Sequence, residues 1–113
     1  MPDFKQWTGT GIDAADRAIT AWARIQRDPA QITLNRDGAT LPAQTVRVVL
    51  AGDVRTDTAA RRRGTLFGVV NHPTQPDTDI QRGDVFTYGG SRLRVTHVAW
   101  LPGAVQASVE AWQ

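Results

Sequence analysis

Apolar residues recur at helical spacing over residues 11–27. Ile12, Ala15, Ile19, Trp22 and Ile25 fall on one stripe, with Asp13, Asp16 and Arg24 away from its centre. Thr10 stands where an N-cap is expected, acids occupy the first turn, Arg24 and Arg27 sit near the end, and Asp28-Pro29 stops the pattern. The first ten residues hold Phe4, Trp7 and Gly9 without a period and read as an extended arm. Beyond Pro29 the period changes to that of strands. Gln31–Arg36 runs into Asp37-Gly38, a two-residue hairpin signal, and a return strand is expected over Thr40–Leu50. Pro42 marks an edge position or a bulge in it. From residue 51 the alternation collapses, and residues 52–63 read as a long polar loop. Leu66–Val70 is a short strand, and residues 71–79 form a second loop.

The C-terminal third is patterned most clearly. Asp84–Tyr88 and Ser91–Leu101 flank Gly89-Gly90, a tight turn that needs positive φ. On the second of these strands, Leu93, Val95, His97 and Ala99 are expected to share one face, with Arg92, Arg94 and Thr96 on the other. After Pro102-Gly103, Val105, Ala107, Val109 and Ala111 alternate with Gln106, Ser108 and Glu110. The fold expected is mainly β: a small β-barrel or sandwich of five to six antiparallel strands over 30–112, with the N-terminal helix packed on it, in a single domain.

Composition narrows the possible functions. With 113 residues, one core is expected, since two would be hard to stabilise at this length. There is no cysteine, which excludes disulfides and thiolate metal ligands. No apolar run approaches the roughly 20 residues that span a bilayer. Met1–Trp7 does not have a basic start leading into an apolar stretch, so no membrane partner is expected and a cytoplasmic protein is. The pI of about 9.9 overstates the charge, because the formal net charge is only +2. Every basic residue except Lys5 is arginine.

Catalytic patterns are missing. The chain has no G-x-S-x-G elbow, no phosphate-binding glycine loop and no histidine pair at metal-ligand spacing, so neither an enzyme nor a cofactor is expected. His97 is expected as a hydrogen-bonded core histidine, and the position of His72 as dictated by its turn. Asp77 and Asp79 read as an exposed acidic loop, since a Ca²⁺ site needs six or more oxygens. Arg55, Arg61, Arg62 and Arg63, interleaved with Asp53 and Asp57, form the one notable constellation. They read either as a solvated loop paired to its own aspartates or as a cationic arm for the phosphate backbone of DNA, without sequence preference. Trp22 belongs to the helix stripe, whereas Trp7, Trp100 and Trp112 either cap the core or anchor a protein interface.

The order of these features resembles the head–tail joining proteins of lambda-like bacteriophages and the related head-closure, or stopper, proteins. The resemblance is carried by the helix, the long loop, and above all the run Arg82-Gly83-Asp84-Val85-Phe86-Thr87-Tyr88-Gly89-Gly90-Ser91-Arg92-Leu93-Arg94-Val95. It implies a structural protein of the virion neck, in the host cytoplasm during assembly, that forms a ring, a hexamer by resemblance, beneath the portal after DNA packaging. Such a ring retains the double-stranded genome and offers the tail its docking surface, with portal or adaptor proteins and tail proteins as partners. The loop would then face the central channel, and Trp7 and Trp112 are the candidate assembly contacts. The family's loops are not uniformly basic, so the arginines are a departure from its pattern. A tail terminator or other tail-tube component, and a non-specific nucleic-acid-binding barrel, are the alternatives. The barrel reading has only Tyr88, at a turn, as a tyrosine platform for stacking bases.

Overall fold

A computed structural model describes residues 10–51 and 63–112, with side chains from residue 14 onward. Helix α1 spans Thr10–Gln26, within a residue of its expected bounds, and closes through N–H groups of Arg27 and Asp28 bonded to the carbonyls of Arg24 and Ile25. The face it buries differs from the expected stripe. Ala18 and Ile25 are fully buried, Ala21 and Trp22 pack beside them, and Ile19 is 49% exposed. The reason lies in Gly103, at the turn between the last two strands. A Cβ there would come within 2.5 Å of the Ala18 nitrogen and 2.6 Å of the Ala14 oxygen, so the helix backbone lies directly on that turn. Only small residues permit such an approach, and the alanine face wins over the isoleucine.

The strands are β1 Ala30–Ile32, β2 Asn35–Arg36, β3 Ala39–Thr40, β4 Gln44–Ala51, β5 Arg63–Val69, β6 Val85–Tyr88, β7 Ser91–Leu101 and β8 Ala104–Ala111. They form one antiparallel sheet in the order β1-β4-β5-β8-β7-β6-β2-β3, curled into a half-barrel with α1 packed on it. The strand count exceeds the expected five to six because each arm of the first hairpin is broken in two. β1 pairs with β4 at one edge, while β2 pairs with β3 at the other. Pro42 falls in the break between β3 and β4, and a hydrogen bond from Leu41 N–H to the Leu34 carbonyl bridges it. Asp37 and Gly38 both have positive φ, as the two-residue turn requires. Gly89 and Gly90 do the same between β6 and β7.

Inside the curl, Ile32, Leu34, Val46, Val48, Leu66, Ile80, Phe86, Leu93, Val95, Val105, Ala107 and Val109 make one buried cluster. Burying each large member contributes about 1.5–3 kcal/mol. The alternation expected for β8 holds along its length, but that expected for β7 does not. Val95 pairs with Val109 and His97 with Ser108, so Thr96 is an extra residue in a bulge. The bulge shifts the phase by one. Val98 packs on the core, and His97, expected inside, is exposed on the outer face. β5 is also longer than expected, beginning at Arg63 through pairs with Ala51 and Glu110. Arg63 is therefore a strand residue and not part of the loop. Among the described residues, no helix is long and apolar enough to cross a membrane.

Candidate functional site

Register brings two of the candidate residues, Arg63 and Trp112, to one end of the sheet. The end of β4, the start of β5, the Gly89-Gly90 turn, the start of β7 and the end of β8 all meet there. Arg63 and Arg94 each stand opposite Glu110, on its two sides. Trp112 donates its N–H to the Arg92 carbonyl at 2.9 Å, and the Arg92 guanidinium lies 4.6 Å from the Trp112 ring centroid, a cation–π contact. Two exposed arginines, Arg63 and Arg94, thus flank a single glutamate, with exposed Arg92 and Trp112 paired beside them. Arg55, Arg61 and Arg62 lie outside the described residues, as does Trp7. Their segment, 52–62, joins Ala51 to Arg63 at this same end. Nothing in the sequence singles out Arg92 and Arg94, because alternating arginines on a strand read as an ordinary solvated face.

At the other end of β6 the charges are locked in place. Asp84 is 1% exposed. Its Oδ1 accepts from Arg36 Nε at 2.9 Å, and its Oδ2 accepts from Arg36 Nη2 and from the Gln81 N–H, both at 2.8 Å. Arg36 Nη2 also donates to Asp79 Oδ1 at 3.0 Å. The hydrogen bond to Asp84 raises the Arg36 pKa above its ordinary value, desolvation opposes it, and Asp79 adds to the rise. This forked pair ties the β2–β3 hairpin to the turn that leads into β6. Nothing in the sequence announces it, since its partners are 48 residues apart.

No protein-family model, curated protein or solved structure matches this chain.

The histidines are separated. His72 Nδ1 accepts from the N–H groups of Thr74 at 3.0 Å and Gln75 at 3.1 Å, which fixes an unprotonated Nδ1 and the turn around it. Its ring meets Trp22 edge-on at 6.0 Å. His97 stands on the outer face of β7. Asp77 Oδ1 accepts from the Asn71 N–H at 2.8 Å, closing the second loop. Among the described residues there is no group of three or more His, Cys, Asp or Glu placed to hold a metal ion. A cleft of about 330 Å³ lies between α1, the β3–β4 connection and the second loop. Large apolar side chains are also exposed. Trp100 is 57% exposed and shares the face of its β8 partner Val105 at the end of β7, and Leu101 is 46% exposed beside it.

Proposed function

We propose that this chain is a structural subunit of a long-tailed bacteriophage neck, in a ring that closes the DNA-filled head beneath the portal and receives the tail. The observation that carries this reading is the loop end of the half-barrel. Arg63, Arg92, Arg94 and Trp112 gather there around both anchors of the 52–62 segment. Its work is done by surfaces and not by a reaction. In support, His72 is engaged in a turn and Asp84 in an ion pair, so neither is placed to act on a substrate.

Complementation of heads and tails made without the protein tests this. The purified chain is expected to restore joining, while Trp112→Ala and the triple change of Arg63, Arg92 and Arg94 to Gln reduce it. Unchanged joining with both variants, on folded protein, would remove the loop end from the account. A tail-terminator role is distinguished by what the protein loads onto, because it would bind isolated tails and ignore DNA-filled heads. The arginine grouping also favours a second reading, non-specific binding of duplex DNA. In that case affinity falls with salt, and the triple variant lowers the slope of log K against log salt by up to about 2.7.

A further inference from the structure

The cleft beside Trp22 is built rather than incidental. Its apolar walls are Trp22, Leu41, Pro42 and Pro76, and its polar rim includes Asp77 and Asp79, with no lysine or arginine in the lining. Each wall is held in place. Gln44 joins the start of β4 to the second loop by donating to the Asp79 carbonyl at 2.9 Å and accepting from the Asp79 N–H at 2.7 Å. Thr78 is buried, and its N–H and hydroxyl bond the carbonyl and N–H of Val69 at 2.8 and 2.9 Å. His72 backs Trp22 edge-on. A cleft fixed on three sides loses little freedom when it is filled.

Its electrostatics select the ligand. Among the described residues, the Arg36 guanidinium is bonded to both Asp84 and the rim residue Asp79, while Asp77 makes no ion pair, so the rim keeps an excess of negative charge. The Asp79 side chain is 61% exposed, and each rim carboxylate makes its hydrogen bond through Oδ1 while having a second oxygen to offer. An anion would be repelled, and a neutral apolar molecule would cover the rim without pairing it. A cation on an aliphatic stem satisfies both parts: the stem lies along Leu41 and the prolines, and the head meets the carboxylates near the face or edge of an indole. We infer that this cleft binds an alkylguanidinium or alkylammonium group, the chemistry of an arginine or lysine side chain. The site is distinct from the loop end and stands whether or not the chain is a neck subunit.

Titration of the ¹⁵N-labelled protein tests it, using Nα-acetyl-arginine amide, its neutral citrulline isostere, and a blocked peptide of glycines with one central arginine. The arginine compound should shift the Trp22 indole and Gln44 side-chain amide signals and saturate on the order of millimolar. The citrulline compound should bind at least about tenfold more weakly, by loss of the charged hydrogen bonds. Asp77→Asn retains the oxygen that accepts from Asn71, so it should fold normally and still weaken binding several-fold. Asp79→Asn provides a second reading. Tighter binding by the peptide would assign the cation to a partner chain, and equal binding would assign it to a free small molecule. No localised shift at tens of millimolar, or equal binding of the citrulline isostere, would overturn the site.

Discussion

At the start of β6, Arg36 spends its guanidinium on Asp84 and Asp79. On the partner strand of the same hairpin, Arg92, opposite Thr87, and Arg94, opposite Val85, stand exposed beside Trp112 and Glu110. The residue type is the same, but burial differs. Where the carboxylate is out of water, removing either partner strands a charge, so the pair is a fold constraint. Where both groups stay in water, pairing is worth little and the charge remains open to another molecule. Arginine content alone therefore says nothing about function in this protein; the solvent around each guanidinium does.

The largest expected effect comes from breaking the locked end. Asp84→Ala should cost about 3–5 kcal/mol in urea unfolding, because it strands Arg36 and the Gln81 N–H. The double change Arg36→Met with Asp84→Leu should recover much of that loss, since the stranded charge is gone. A double as unstable as the single would show that the pair's geometry, and not charge burial, holds the hairpin. A smaller effect of opposite sign is expected at Arg47, on β4, whose buried Nε has no hydrogen-bond partner. Arg47→Met should raise stability by about 1 kcal/mol, as read from the urea midpoint at constant m. At the exposed end, a double-mutant cycle on Arg92 and Trp112 should return a coupling of about 0.5–1 kcal/mol. Least of all, changing Arg63, Arg92 and Arg94 to Gln should move stability by no more than about 0.5 kcal/mol. A larger loss there would mean that these arginines serve the fold, which erases the contrast between the buried and the exposed guanidinium groups.

The features legible in the sequence are those set within a few residues. The bounds of α1 follow from its period and from Asp28-Pro29, and both hairpin turns follow from Asp37-Gly38 and Gly89-Gly90, which alone tolerate the φ values found there. The inward set of β8 follows from strict alternation. The grouping of Arg63 with Trp112 was reachable only as two separate candidates, because strand order, not chain position, brings them to one end.

What the sequence determined by itself is the kind of each element and the likeness of a helix followed by a mostly β chain, since period and turn chemistry act locally. Tertiary structure alone decided which way those elements face. The close seat of α1 on Gly103 turned Ile19 outward, the bulge at Thr96 moved His97 from the core face to solvent, and closure of the sheet brought Arg36 to Asp84. Each of these depends on a neighbour distant in the chain, and a one-residue change of phase reverses a side chain's surroundings without leaving a mark in the local pattern.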